Sequence, residues 1–195
     1  MSVPGFSIDV YLAELTSALR DIDRGAVEQM AHRLTQACLH GRTVFICGNG
    51  GSAAVASHWA ADLSKLTALP GRPRLRVLSL TDSAAAITAA ANDFDYSEIF
   101  TAQLETFMAP GDVVVGISTS GRSPNVLRAL EYANLHGGVT LGITGQGGQA
   151  LQALAQVSLM VASTSVQRVE DVAGIAAHLT CLLTRQQLEQ MGVAA

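Results

Sequence analysis

The sequence predicts an α/β fold, a three-layer αβα sandwich on a five-stranded parallel sheet, with a helical N-terminal extension. Short apolar runs of strand length alternate along the chain with longer segments of helical periodicity. The runs are continuously apolar, which is typical of strands in a parallel sheet that is covered on both faces. Polar loops rich in glycine or serine follow two of the runs directly, as expected at the carboxyl ends of such strands.

Each predicted strand is followed by a predicted helix. The five strands are expected at residues 43–47, 76–80, 113–117, 139–143 and 157–161. The helices are expected at residues 8–40 with a break at 23–25, and at 53–65, 83–91, 96–108, 124–135, 149–155 and 169–190. Since the sequence contains no linker or repeat, we predict a single domain over 1–195, with a helical segment at 1–40 and an α/β core at 41–195.

Composition limits the partners and the compartment. The net charge of −4 over 195 residues gives no electrostatic reason to expect nucleic acid binding. Cys38, Cys47 and Cys181 lack a metal-binding spacing and have apolar neighbours, so we expect buried free thiols in a reducing cytoplasm. Neither a signal peptide nor about 18 consecutive apolar residues occurs, and we therefore expect a cytoplasmic protein without a membrane segment.

The loop from Ser118 to Ser123, with the sequence STSGRS, directly follows the apolar run at 113–117. Ser123 fits as the N-cap of the next helix and Pro124 as its first residue, where a missing N–H costs nothing. Hydroxyl groups and unpaired amides at the positive end of a helix suit a phosphate monoester. An ordinary capped turn is the alternative, and four hydroxyls within this short loop favour the phosphate site.

A second loop, Gly48 to Ser52, joins the first predicted strand to its helix, with Ser52 as the expected N-cap. Its glycines allow a ligand to approach the backbone closely, although glycine-rich turns of this kind are also common without a ligand. The loop lacks the lysine of a Walker motif and does not form a dinucleotide fingerprint. We interpret it as the second wall of the pocket that the serine-rich loop begins.

Two pairs of polar side chains occur on the predicted helices. His58 and Asp62 are four residues apart and therefore share a helix face. Glu170 and His178 are separated by an angle of roughly 80° around the axis of the last helix, which allows both to face one cavity. Taken singly, a pair of this kind is more often a surface hydrogen bond than a metal site.

Together these segments resemble the sugar isomerase (SIS) domain, and within it the phosphoheptose isomerases. The resemblance covers nearly the whole chain, in order and with the spacing of the family. The stretches that carry it are CGNGGS at 47–52, ANDF at 91–94, GDV at 111–113, GISTSG at 116–121, LGITGQGG at 141–148 and the last helix around His178.

The resemblance implies an aldose–ketose isomerase that converts sedoheptulose 7-phosphate to D-glycero-D-manno-heptose 7-phosphate, holds a zinc ion and forms a homotetramer. The implied phosphate contacts are Ser118, Thr119, Ser120 and Ser123. The other implied substrate contacts are Asn49, Gly50, Gly51, Ser52, Asn92, Asp93 and Glu170. The implied metal ligands are His58, Asp62, Glu170 and His178. The last three of these ligands are also the implied catalytic residues.

The chain departs from the family at two of these positions. It has Asp62 where the family has a glutamate, and Glu170 where the family has a glutamine. Two histidines and two carboxylates remain a sound zinc site, so we expect the metal to be retained and Asp62 or Glu170 to act as the base. Two alternatives stay open, an isomerase of another long-chain sugar phosphate and a non-catalytic SIS regulator that binds the replication initiator.

Overall fold

The computed structural model describes residues 6–191. Helices lie on both sides of one parallel sheet, which confirms the predicted fold class. The strands are β1 (Thr43–Gly48), β2 (Arg76–Ser79), β3 (Val113–Ser118), β4 (Val139–Gly145) and β5 (Val157–Val161). The helices are α1 (Ile8–Arg20), α2 (Arg24–Leu39), α3 (Gly51–Leu66), α4 (Ala84–Asp93), α5 (Thr101–Phe107), α6 (Pro124–Leu135), α7 (Gln149–Leu154) and α8 (Val166–Gln190).

The N-terminal extension consists of α1 and α2, and the predicted break between them is present at residues 21–23 rather than 23–25. Asp23 ends the break, since its carboxylate accepts a hydrogen bond of 3.0 Å from the backbone N–H of Ala26 and caps α2. Both helices pack against α8, and the Tyr11 hydroxyl in α1 donates a hydrogen bond to Asp171 in α8. The extension therefore braces the last helix.

One predicted helix is two elements in the structure. Residues 96–108 contain a 3₁₀ turn at Tyr96–Glu98 and then α5, rather than one continuous helix. The turn is closed by Asp95, whose carboxylate accepts a hydrogen bond of 2.8 Å from the backbone N–H of Ser97. The prediction was wrong here because apolar periodicity does not distinguish 3₁₀ from α geometry over so few residues.

The sheet has the strand order β2-β1-β3-β4-β5, and every neighbouring pair is parallel. After β2 the chain crosses to the other side of β1, so the direction of winding reverses between β1 and β3. In sheets of this kind the loops that leave the two strands diverge and form a crevice in which ligands bind. Gly48 pairs with Ile117, so the glycine-rich and serine-rich loops start side by side at this crevice.

Apolar layers cover both faces of the sheet. Along β1, Val44 and Ile46 belong to the cluster that packs with α2, α3 and α8, whereas Phe45 and Cys47 face the helices on the other side. Burial on both faces explains why the central strands β1, β3 and β4 show no alternation between buried and exposed residues, whereas the edge strands β2 and β5 are partly exposed. The three cysteines are buried and free, as predicted. None of the described helices is long and apolar enough to cross a membrane.

Candidate active site

The serine-rich loop connects β3 to α6 at the point where the winding of the sheet reverses. Ser123 is the N-cap of α6 and Pro124 is its first residue, as predicted. The Ser123 side chain does not cap the helix, and its hydroxyl instead lies 3.0 Å from the hydroxyl of Ser118 in a hydrogen bond. Two hydroxyl groups are therefore held together at the start of a helix.

The glycine-rich loop is shorter than the sequence predicts. Helix α3 begins at Gly51 with Gly50 as its N-cap, whereas Ser52 is already inside the helix and only 3% exposed. Gly50 has a φ of 57°, a left-handed conformation that glycine adopts without steric cost. The prediction of Ser52 as N-cap was wrong because this backbone conformation starts the helix without a side-chain acceptor.

A pocket of about 380 Å³ opens between the two loops. Most of the predicted substrate contacts line it, together with two apolar residues. The lining consists of Asn49, Gly50, Gly51, Ser52, Ile117, Ser118, Thr119, Ser123, Val166 and Glu170. Ser120 belongs to the same loop but does not line the pocket, and its hydroxyl accepts a hydrogen bond of 3.3 Å from the backbone N–H of Arg122.

Asn92 and Asp93 lie outside this pocket. They form the end of α4, where the side-chain amide of Asn92 donates a hydrogen bond of 2.8 Å to the Asp93 carboxylate. Neither residue is part of the pocket lining. Their contact with a substrate therefore stays a prediction.

Three helices begin at the pocket, namely α3 at Gly51, α6 after Ser123 and α8 at Val166. None of the three has a side-chain hydrogen bond at its N-cap. The first N–H groups of a helix have no partner within the helix, and this end carries a partial positive charge. Three such ends make the pocket suitable for an anion, and for a phosphate group in particular.

Glu170 brings a carboxylate into this pocket from the second turn of α8. The carboxylate lies so close to Gly51 that a Cβ atom at position 51 would overlap it. A side chain at position 51 would therefore push the Glu170 carboxylate away from its present place in the pocket. The carboxylate also lies beside the start of α3, where the helix dipole favours a negative charge.

His58, Asp62 and His178 form a cluster between α3 and α8. The Nε2 atoms of the two histidines are 2.8 Å apart, and Oδ2 of Asp62 lies 3.3 Å from His58 Nε2 and 3.5 Å from His178 Nε2. Ligand atoms around a tetrahedral zinc ion, with bonds of about 2.0–2.1 Å, are roughly 3.3–3.4 Å apart. The two distances to Asp62 match this value, whereas the two Nε2 atoms would have to separate by about 0.5 Å to hold a zinc ion. The histidine side chains are 56% and 53% exposed, which leaves room for a further ligand.

Glu170 does not belong to this cluster of described residues. It precedes His178 on α8 by eight residues, which corresponds to roughly 12 Å along the helix axis. The helical angle between the two residues suggested a shared cavity, but the axial separation leaves Glu170 at the pocket and His178 at the cluster. Coordination of a metal by Glu170 stays a prediction.

Cys181 lies near the cluster on α8, without the chemistry of a ligand or nucleophile. Burial raises the pKa of its thiol to about 12, and the charge of the Asp62 carboxylate adds to the rise. The thiol therefore stays protonated at neutral pH, and protonated thiols are poor nucleophiles and metal ligands. The reactive groups of the cluster are imidazoles and a carboxylate.

Two residues beside the pocket were missed by the sequence analysis. Asn125 exchanges two hydrogen bonds with Asn49, of 2.8 and 2.9 Å, and the Tyr96 hydroxyl donates a third, of 3.1 Å, to Asn49. Asn125 precedes Ala129 by one helical turn on the buried face of α6, and a polar residue at such a position was the available signal. Tyr96 comes from a separate loop, and no sequence pattern connects it to Asn49.

A larger cavity, of about 560 Å³, lies on the other side of α3 beside the edge strand β2. Ser57 and Asp82 line it and share a hydrogen bond, and none of the predicted site residues takes part in its lining. We regard the smaller pocket as the functional site because three helix starts and the predicted loops converge on it.

The fold and the pocket define an α/β protein with a pocket suited to a small anion at the carboxyl ends of its strands. The sequence model of the SIS domain family matches residues 10–145. A phosphoheptose isomerase from Desulfovibrio desulfuricans is 42% identical over 176 residues, which cover 90% of this chain and 80% of that protein. One from Paramagnetospirillum magneticum is 40% identical over 178 residues, which cover 89% and 92% of the two chains.

A solved structure of a phosphoheptose isomerase from Neisseria gonorrhoeae has the same fold. It matches with a TM-score of 0.85 at 29% sequence identity, over 92% of this chain and 97% of that one. The chain belongs to the SIS domain family, and within that family to the phosphoheptose isomerases. The family predicted from the sequence motifs is thereby confirmed.

Proposed function

We propose that the protein is an aldose–ketose isomerase that interconverts sedoheptulose 7-phosphate and D-glycero-D-manno-heptose 7-phosphate. Its membership among the phosphoheptose isomerases supports this reaction. The pocket supports the phosphate as the anchoring group, because uncapped helix starts and the hydroxyls of Ser118, Thr119 and Ser123 surround it.

The observation that carries the proposal is the separation between the pocket and the cluster. Gly51 lines the pocket and His58 belongs to the cluster, and the helix between them advances about 10 Å. An extended chain of covalent bonds advances about 1.2 Å per bond. The eight bonds from C1 to the phosphorus of a heptulose 7-phosphate therefore span about 10 Å. A phosphate in the pocket would leave C1 and C2 at the cluster.

The proposed metal site consists of His58, Asp62 and His178, with Glu170 as a further ligand if its side chain turns toward the cluster. Imidazole and carboxylate donors that converge between α3 and α8 support a zinc ion. When bound, zinc acts as a Lewis acid that polarises the carbonyl oxygen of the sugar. The open side of the cluster gives the sugar access to this position.

The isomerisation moves one proton between C1 and C2 and one between the two oxygens, through an enediol. We assign the proton transfer at carbon to Asp62, because its carboxylate lies beside His178. His178 is assigned the proton transfer at oxygen. Glu170 lines the pocket that is proposed to hold the phosphate and is assigned to substrate orientation. In this assignment Asp62 takes part in proton transfer, whereas Glu170 does not.

We further propose a cytoplasmic homotetramer without nucleic acid or membrane partners. The negative net charge argues against nucleic acid. Apolar side chains on the outer faces of α1 and α8, including Val10, Leu12, Leu179 and Leu182, are exposed in the single chain and offer a surface for association. Light scattering coupled to size-exclusion chromatography measures the assembly, and a monodisperse monomer contradicts it.

The direct test is to incubate the purified protein with zinc and sedoheptulose 7-phosphate and to follow the aldoheptose phosphate by NMR. We expect turnover that EDTA abolishes and zinc restores, and a loss of about 10²–10⁴-fold in kcat for His178→Ala. His136→Ala, on an exposed histidine of the α6 C-cap, is the matched control and should retain activity. No turnover by the zinc-loaded wild type rejects the proposed function.

A further inference from the structure

Asn49 and Asn125 form a closed pair of amide hydrogen bonds between the two loops of the pocket. Asn49 Nδ2 donates to Asn125 Oδ1 at 2.9 Å, and Asn125 Nδ2 donates to Asn49 Oδ1 at 2.8 Å. Asn49 follows β1, and Asn125 lies in the first turn of α6, which follows β3. The pair therefore connects the glycine-rich loop to the helix that begins at the serine-rich loop.

A backbone group fixes the orientation of both amides. The N–H of Val126 donates to Asn125 Oδ1 at 3.0 Å, and a backbone N–H cannot act as an acceptor. The atom of Asn125 that faces Val126 is therefore the oxygen, and its Nδ2 must face Asn49. Since Nδ2 donates, the atom of Asn49 that receives it is Oδ1. This chain of contacts removes the usual ambiguity between the oxygen and nitrogen of an asparagine side chain.

Tyr96 completes the environment of Asn49. Its hydroxyl donates to Asn49 Oδ1 at 3.1 Å, so this oxygen accepts two hydrogen bonds, the number that its lone pairs allow. One hydrogen on Nδ2 is used by Asn125. Among the described contacts, Asn49 keeps one amide hydrogen for a ligand. At the pocket it can only donate, to a hydroxyl or carbonyl oxygen.

We propose that Asn125 and Tyr96 are positioning residues that hold Asn49 as a fixed hydrogen-bond donor to the sugar part of the substrate. The inference rests on the proposed function, which supplies the sugar phosphate. Asn125 is buried, with 1% of its surface exposed, and its hydrogen bonds fix Asn49 relative to the helix that follows the serine-rich loop. Tyr96 is exposed, and its hydrogen bond to Asn49 Oδ1 opposes rotation of the Asn49 amide.

Tyr96→Phe is the cleanest test, because it removes one hydroxyl from an exposed side chain and leaves the fold intact. We expect the Kd and KM for sedoheptulose 7-phosphate to rise about three- to tenfold, the worth of one hydrogen bond. Binding of inorganic phosphate, measured by calorimetry, should not change, since the serine-rich loop is untouched. Tyr132→Phe makes the same chemical change on α6, outside the pocket lining, and serves as the control.

The effect of Tyr96→Phe should vanish in an Asn49→Ala background, because Tyr96 acts through Asn49. Asn125→Asp keeps the acceptor for Val126 but loses the donor to Asn49, and should weaken sugar phosphate binding more than Tyr96→Phe does. An unchanged Kd in Tyr96→Phe, or an equal effect of this change with and without Asn49, overturns the inference.

Failure of the proposed function gives a different result. A wild type that binds sedoheptulose 7-phosphate without converting it rejects the isomerase assignment, and the Kd values of the variants still decide the role of Tyr96 and Asn125. A wild type that binds inorganic phosphate but no sugar phosphate rejects both the isomerase assignment and the positioning role of Tyr96 and Asn125.

Discussion

The carboxylate of Glu170 lies against Gly51, at the start of α3, in a space that any larger residue at position 51 would fill. This contact joins α8 to the glycine-rich loop and brings a negative charge into a pocket otherwise suited to anions. A phosphate that enters the pocket therefore meets the positive starts of α6 and α8, whereas the start of α3 already faces this carboxylate.

Gly51→Ala should displace the Glu170 carboxylate from the pocket and lower the free energy of unfolding by less than about 1 kcal/mol, because the overlapping atoms are the mobile end of a partly exposed side chain. The combination with Glu170→Ala should recover most of this loss, because the overlapping carboxylate is then absent. Urea denaturation of the two single variants and the double variant measures the coupling. Additive losses in the double variant would mean that the contact does not matter.

Gly174→Ala is the opposite case within α8. A Cβ atom at position 174 would meet nothing within 4 Å, so no contact in the described chain requires a glycine there. Alanine restricts the unfolded chain and favours the helix, and we expect the free energy of unfolding to rise by about 0.5–1 kcal/mol. A lower midpoint of urea unfolding than in the wild type contradicts this expectation.

Asp62→Asn removes the negative charge of the proposed metal cluster. Loss of a residue that merely supports a ligand weakens metal binding about 10–100-fold, so loss of a ligand should weaken zinc binding at least about 100-fold. Zinc content after dialysis, measured by mass spectrometry, reports the change without any assay of activity. Asp21→Asn, at the exposed C-cap of α1, is the control and should leave the zinc content unaltered.

Ser123→Ala removes the hydroxyl that pairs with Ser118 at the start of α6. Hydrogen bonds to a charged group contribute about 1.5–3 kcal/mol, so we expect the Kd for inorganic phosphate to rise about 10- to 100-fold. Ser64→Ala in α3 removes a hydroxyl whose one hydrogen bond among residues 6–191 is to the carbonyl of Ala60, and it should leave phosphate binding intact. Equal affinities for Ser123→Ala and wild type would place the phosphate elsewhere.

The buried thiols should resist alkylation in the folded protein. Burial raises the pKa of Cys47 and of Cys181 to about 12, so neither forms much thiolate at pH 8. Iodoacetamide at pH 8 should modify neither residue until urea unfolds the chain, as mass spectrometry will show. The folded state holds these protons more tightly than the unfolded state, whose thiol pKa is about 8.5, so stability should fall as the pH rises from about 9 toward 12.

The strands and the two loops could be predicted because their signals are local. An apolar run such as Val113–Ile117, followed at once by Ser118, shows that a buried strand ends at a polar loop. The helix start at Gly51 was not predictable in the same way. It depends on the left-handed conformation of Gly50, and the sequence equally permits Ser52 as the cap.

The cluster of His58, Asp62 and His178 was likewise predictable only in its local part. The spacing of His58 and Asp62 put them on one helix face from sequence alone. The contact of both with His178 is a property of how α3 packs on α8, since His58 and His178 are 120 residues apart in the sequence. The family resemblance supplied this grouping, and residue spacing alone could not.

By itself, the sequence determined the fold class, a polar loop suited to phosphate at the end of β3 and, through its motifs, the family. These follow from apolar periodicity, turn chemistry and short motifs, each of which involves a few neighbouring residues. Only the tertiary structure decided that Glu170 faces Gly51 rather than the histidines, and that Asn125 and Tyr96 hold Asn49. Such contacts depend on the packing of distant segments, because a side chain's partners are set by the helices and strands that surround it.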